Sequence, residues 1–271
     1  MSGSPRIGPI VVITGTSLMV GGCDQGGYYY SGSCGAYGGY YGSYGSYAAC
    51  PVAYIYHAGM YAGSLRENVA SQVQPVISII AGNGDVRMSG GNGSYYRLKV
   101  NTAGNNLSGT FTEYSQSGSL PNGIQTITGS ITGVAGAANL NATLSGSAGT
   151  EQSLALTFEN NHQSGSSLTT LAGNWTSTSN DLTLTATIQP DGSFMAVDSN
   201  NCTYTGTFRL IDPKFNVYAE THVRTCGRLN ATFAGLAAFV PGTGTGVTGT
   251  PTQIKLLTDN NAGEYLVAAL Q

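Results

Sequence analysis

The sequence predicts an all-β, antiparallel fold, and three observations lead there. Short runs alternate apolar with small polar residues at a period of two, the spacing of a strand with one buried face. Clusters of Asn, Asp and Gly punctuate those runs as turns do. Finally, 40 of the 271 residues are glycine, a residue that costs about 1 kcal/mol relative to alanine inside a helix. Charged residues make up 8% of the chain, against about 25% in an average soluble protein, so a highly charged disordered chain is excluded. The ten lysines and arginines are scattered and the formal charge is -3. No local run supplies a cationic surface, so nucleic acid is not an expected partner.

The first segment, MSGSPRIGPIVVITGTSLMVGGC, has one basic residue, Arg6, then an apolar stretch from Ile7 to Val20 and two glycines before Cys23. That stretch falls short of the roughly 20 residues that span a bilayer and has the layout of a secretory leader over 1–22. Its end resembles the bacterial lipoprotein signal, which makes Cys23 the expected lipid-attachment site. Val20 stands where that signal usually carries leucine, and the competing reading makes IVVI an ordinary core strand.

Residues 23–60 form a low-complexity arm, and eleven of the seventeen tyrosines fall between Asp24 and Tyr61. Tyr28, Tyr29, Tyr30, Tyr37, Tyr40, Tyr41, Tyr44 and Tyr47 are its binding or assembly candidates, because each ring joins apolar area to a hydroxyl. The arm reads either as a flexible tether or as an adhesive, self-associating segment.

Two β-domains are expected next, at 61–165 and 166–271, with HQSGSSLTT (162–170) between them. In the first, GMYAGSL, YYRLKV, LSGTFTEY, ANLNATLS and SLALTF read as strands, and GSLRENVASQVQPV (63–76) as a brief helix ended by Pro75. The second continues with NWTST, LTLTATIQ, SFMAVD, TYTGTFRL, FNVYAETHV, NATFAGLAAF, TQIKLL and EYLVAAL. Asp191-Gly192 is its clearest hairpin turn, and PGTGTGVTG (241–249) a mobile loop. GNGDVRM and QPDGSFM occupy matching places in the two halves, a sign of internal repetition. About eight strands per half suit one or two small up-and-down barrels, with β-sandwiches the alternative.

Five cysteines become four if Cys23 carries lipid, a count that fits export and disulfides. Cys202 with Cys226, and Cys34 with Cys50, are the expected pairs. No CxxC pair or His/Cys cluster suggests zinc.

The stretch 188–238 combines Asp191-Gly192, Cys202 followed by the alternating Thr203-Tyr204-Thr205-Gly206, the segment Asp212-Pro213-Lys214-Phe215-Asn216-Val217-Tyr218, and Cys226 before Gly227, Leu229 and Asn230. In this it resembles a group of uncharacterised bacterial cell-envelope lipoproteins with a glycine- and threonine-rich β-domain. The resemblance implies β-structure and an envelope location, at the outer membrane or outside the cell, and brings no catalytic residues. Ala231 stands where the group carries glycine.

Catalytic chemistry is not expected. His57, His162 and His222 have no ligand-spaced partners, and Glu220 with His222 reads as the solvent-facing side of one strand. DSNN (198–201) and TDNN (258–261) are too short for the strong calcium-loop pattern, and no cofactor or metal is expected. Six Asn-x-Ser/Thr sequons, from Asn92 to Asn230, read as composition. The strand faces of Thr, Ser and Asn suit protein, glycan or self-association. The chain is therefore expected to be a tethered binding or adhesion module attached to the membrane through lipid only. The alternative is a structural subunit of a filament or coat assembled through the Gly/Tyr arm.

Overall fold

In the computed structural model, the structure describes residues 58–67, 72–116, 124–147, 149–159, 165–179, 182–241 and 252–271. The leader, the arm, Cys23, Cys34, Cys50, the eight arm tyrosines, His57, His162 and most of the 241–249 loop lie outside them.

Sixteen antiparallel strands form two consecutive eight-stranded sheets. The first comprises β1 (Gly59–Glu67), β2 (Val73–Ile80), β3 (Asp85–Gly90), β4 (Tyr95–Ala103), β5 (Asn106–Gln116), β6 (Ile124–Ala135), β7 (Asn139–Gly146) and β8 (Glu151–Phe158). It is a closed barrel in which every strand pairs with its sequence neighbour. Seven β1–β8 residue pairs, Tyr61↔Phe158 to Glu67↔Gln152, complete it. After the four-residue helix α1 (Leu168–Leu171) come β9 (Gly173–Ser179), β10 (Leu182–Ile188), β11 (Ser193–Asp198), β12 (Thr203–Leu210), β13 (Tyr218–Cys226), β14 (Leu229–Val240), β15 (Gln253–Asp259) and β16 (Tyr265–Leu270). This second up-and-down barrel closes where Thr176 and Gln271 exchange backbone hydrogen bonds of 2.9 and 2.8 Å.

Alternation decides which residues fill each barrel. In β8, the odd residues of EQSLALTF are exposed while Gln152, Leu154, Leu156 and Phe158 are buried. The three apolar ones join Tyr61, Leu65, Tyr96, Leu98 and Phe111 in the first core. The second core is built around Leu184, Ile188, Phe194, Phe208 and Tyr218.

The expected helix at 63–76 is not formed at either of its ends. Gly63–Glu67 belongs to β1 and Val73–Val76 to β2, where Leu65 pairs with Gln74 and Ser64 with Pro75. Burial of Leu65 and Val76 in the barrel outweighs a marginal helical pattern too short to be stable alone. β6 has no counterpart among the runs recognised above, because its inward row Ile127, Gly129, Ile131, Gly133 and Ala135 is interrupted by two glycines.

The halves repeat in their turns as well. Ala81 donates to Asp85 O, Gly84 to Ala81 O, and Val100 of β4 to Gly84 O. In the second barrel Gln189 donates to Ser193 O, Gly192 to Gln189 O, and Phe208 of β12 to Gly192 O. Gly84 and Gly192 take φ of 83° and 86°, the left-handed position that follows a type I turn in three-residue hairpin loops. An Asx hydrogen bond braces each loop, Asn83 Oδ1 accepting from Asp85 N and Asp191 Oδ1 from Ser193 N.

Cys202 and Cys226 form a disulfide with Cα atoms 4.4 Å apart. They flank the Thr203↔Thr225 pair, so the bond staples β12 to β13 at the end opposite their connection. That connection runs from Ile211 to Val217. Asn216 is buried within it, donating to Phe239 O and accepting from Phe239 N at 3.0 Å, which clamps the turn onto β14. Replacing both cysteines by serine is expected to cost about 3 kcal/mol, read as a lower denaturant midpoint that added reductant does not lower further.

Candidate functional site

The barrels lie side by side, the outer faces of β1–β5 against those of β14 and β15. Met60, Ile79, Tyr95 and Tyr114 of the first barrel meet Leu236, Ala238 and Leu257 of the second. Asp259, at the end of β15 and 1% exposed, sits at the edge of this layer. Arg87 and Arg97 each lie 3.4 Å from its carboxylate, the Tyr95 hydroxyl donates to it at 3.3 Å, and Asn261 N at 3.1 Å. Tyr95 stacks on Tyr265, with centroids 5.1 Å apart, and the Tyr265 hydroxyl donates to Gly93 O. Burial holds the Tyr95 hydroxyl well above its ordinary pKa, keeping it a donor. The TDNN carboxylate is thus the ionic centre of the barrel–barrel contact. Asp198 of DSNN is likewise committed, accepting from Asn200 N, Cys202 N and the Tyr204 hydroxyl at 2.8–2.9 Å. Burial, then the bond to Asp198, pushes Tyr204 up to about 12.

Glu220 and His222 do not face solvent. They point into the second barrel, 1% and 3% exposed, with His222 Nδ1 2.8 Å from Glu220 Oε1. The imidazole stacks on Phe233 at 4.8 Å, with Tyr204 and Phe194 at 5.6 and 6.3 Å. Glycine stands opposite each member, Gly206 across from His222 on β12 and Gly235 across from Glu220 on β14. Glu220 Oε2, His222 Nε2 and the nearby Thr258 Oγ1 have no hydrogen-bond partner among the described residues. The period-two parity that puts Glu220 and His222 on the same face as Tyr218, with Phe208 and Gly206 as their partners on β12, is the sequence signal that could have placed the pair inside.

The first barrel carries a related feature on its own fifth strand. Glu113 of β5 is 5% exposed, accepts from Gln152 Nε2 at 3.3 Å and lies opposite Tyr96. Burial raises the Glu113 carboxyl above its ordinary 4.5. A carboxyl raised in the fold stabilises it below 4.5, and that contribution is lost as pH rises through the raised value. Thermal stability should therefore decline from about pH 4.5 upward. Glu113→Gln should flatten part of that decline in melting curves recorded across pH.

On the outside, β9–β14 present two rows of side chains across the strands. One row runs Asn174, Thr187, Met195, Thr205, Val223, Thr232, and the next Thr176, Thr185, Val197, Thr203, Thr225, Asn230. All but the half-buried Thr225 are exposed, and none is charged. Among the described residues no group of three or more His, Cys, Asp or Glu could hold a metal, and no catalytic constellation is assembled.

This geometry defines a tandem of eight-stranded antiparallel up-and-down β-barrels, joined side by side and bearing buried carboxylates in each barrel and at the contact between them. No family model and no curated protein matches the chain. Among solved structures, it is similar to Aeromonas veronii immune modulator A at 10% identity and a TM-score of 0.34, covering 82% of this chain and 94% of that one. It is also similar to a Bacteroides fragilis protein named for the outer membrane, at 15% identity and a TM-score of 0.28, covering 79% and 95%.

Proposed function

We infer that this protein is a non-catalytic module of the bacterial cell envelope, exported, tethered through lipid on Cys23 and the low-complexity arm that follows it, and presenting its barrels to a partner. The observation that carries the reading is the uncharged, hydroxyl-rich face across β9–β14. Its threonines and asparagines offer donors and acceptors at strand spacing, while Met195 (64% exposed), Val197 and Val223 add apolar contact. Such a surface favours a neutral, hydrogen-bonding partner such as a glycan. The Cys202–Cys226 disulfide is in keeping with an oxidising compartment.

Mass spectrometry of the mature chain from a membrane fraction tests the tether. Loss of residues 1–22 with a lipid-sized increment on Cys23 is expected, whereas a chain retaining Met1 overturns it. Deleting 24–57 should leave the mass distribution in solution unchanged. Loss of higher oligomers on that deletion would instead favour the filament subunit.

A further inference from the structure

A polar cluster lies at one end of the largely apolar interior of the first barrel. Glu113 of β5 and Gln152 of β8, each 5% exposed, meet there, with Gln152 Nε2 donating to Glu113 Oε2 at 3.3 Å. Tyr96 of β4, fully buried, is the cross-strand neighbour of Glu113. Glu67, the last residue of β1, is half-buried, shares the inward parity of Leu65 and is the cross-strand neighbour of Gln152. In the closed strand order β4–β5 and β8–β1 form opposite walls, so the four side chains approach one end of the lumen from both sides.

Two features of the cluster point to a cation. The first is charge. Of the four basic residues described in the first barrel, Arg87 and Arg97 turn outward to Asp259, Lys99 pairs with Asp85, and Arg66 is exposed. None faces Glu113, whose carboxyl instead feels the like charge of Glu67, and a buried anion without a counter-charge is costly. The second is hydrogen bonding. Gln152 Oε1 and the Tyr96 hydroxyl, both on side chains more than nine-tenths buried, have no hydrogen-bond partner among the described residues. The hydroxyl lies close to Gln152, Glu113 and Ser94 without hydrogen-bonding geometry to any of them, so oxygen atoms gather here without satisfying one another.

We propose that this cluster is a calcium site, held by the Glu113 and Glu67 carboxylates, the Gln152 carbonyl and the Tyr96 hydroxyl, and that the ion ties opposite walls of the first barrel together. All four ligands are oxygens, the donors of a hard cation, and a double charge cancels the two carboxylates. Ca²⁺ accepts an irregular set of this kind, whereas Mg²⁺ demands a near-ideal octahedron. The Gln152 amide serves two partners, its nitrogen on Glu113 and its oxygen on the ion. Glu67, half-buried at a strand end, gives the ion its way in from solvent. Two carboxylates with two neutral oxygens make a sparse set completed by water, so the affinity belongs with the weak, roughly 1 mM sites of extracellular modules.

Melting curves of the full chain at pH 7, freed of metal by a chelator and then supplied with about 10 mM calcium chloride or magnesium chloride, test the site. Calcium should raise the midpoint by about 4 °C, the effect of a ligand present at roughly ten times its dissociation constant, and magnesium by much less. Glu113→Gln should abolish the calcium shift. Glu67→Gln, a change at a half-buried strand end, should fold, bind calcium about tenfold more weakly and keep about a third of the shift. The proposal is overturned if calcium gives no shift, if magnesium matches it, or if either variant keeps the whole of it. Should Glu113→Gln not fold, Glu67→Gln decides alone, a full shift overturning the proposal and a reduced one supporting it.

Discussion

Asp259→Ala is expected to destabilise the molecule by about 4 kcal/mol, the scale for removing one partner of a buried ion pair, and to split one thermal transition into two. Its carboxylate is 1% exposed and receives Arg87, Arg97 and the Tyr95 hydroxyl from the first barrel while belonging to the second. Removing it leaves the largely buried Arg87 guanidinium facing Tyr95 and the apolar layer of Ile79 and Leu257 with no counter-charge. Arg97, whose side chain is 34% exposed, can turn to water and suffers less. The cost thus lands on Arg87, which gives a sharper form of the prediction. Arg87→Met combined with Asp259→Leu should recover much of the loss, because replacing a buried ion pair by apolar groups of similar volume is often neutral. Differential scanning calorimetry checks both statements. A single transition retained in Asp259→Ala would mean that the apolar layer alone couples the barrels.

The strands were legible where alternation was clean, as in SLALTF and SFMAVD, and the hairpins where Gly84 and Gly192 mark a left-handed turn. The match between GNGDVRM and QPDGSFM reflects two β2–β3-type hairpins with the same hydrogen bonds. Facing was harder to read than pairing. In YAETHVRTC, the exposed row of β13 includes Val223 and the buried row Glu220 and His222, so polarity alone points the strand the wrong way. The decision comes from neighbouring strands, where Gly206 and Gly235 leave room for the two polar side chains, and that room exists only once the register is known. Asp259 was unreadable for a related reason. It looks like a turn residue in TDNN, and its partners are more than 160 positions away in sequence. β6 is hard to read because Gly129 and Gly133 interrupt its inward row and carry no hydrophobic signal.

Those inward glycines supply the other large effect. Gly109→Val in β5 is expected to cost about 5 kcal/mol, in the range reserved for severe core disruption, and to abolish cooperative folding of the first barrel. A Cβ built at Gly109 would lie 2.0 Å from the Lys99 carbonyl oxygen and 2.9 Å from Val100 Cα. Both are backbone atoms of the paired strand β4, fixed by the Val100↔Gly109 register, so no rotamer change relieves the overlap. The strands must separate, which breaks ladder hydrogen bonds at a tight bend of the barrel wall. Gly93 provides the contrast. It sits at φ 84° in the β3–β4 turn, and a Cβ there meets nothing within 4 Å. Gly93→Ala should therefore cost about 1 kcal/mol, through left-handed backbone strain alone. Urea titrations of the two variants should differ several-fold in lost stability. Similar costs at both positions would mean that β4 and β5 can part locally, and that close approach of the wall strands is not what selects glycine in this chain.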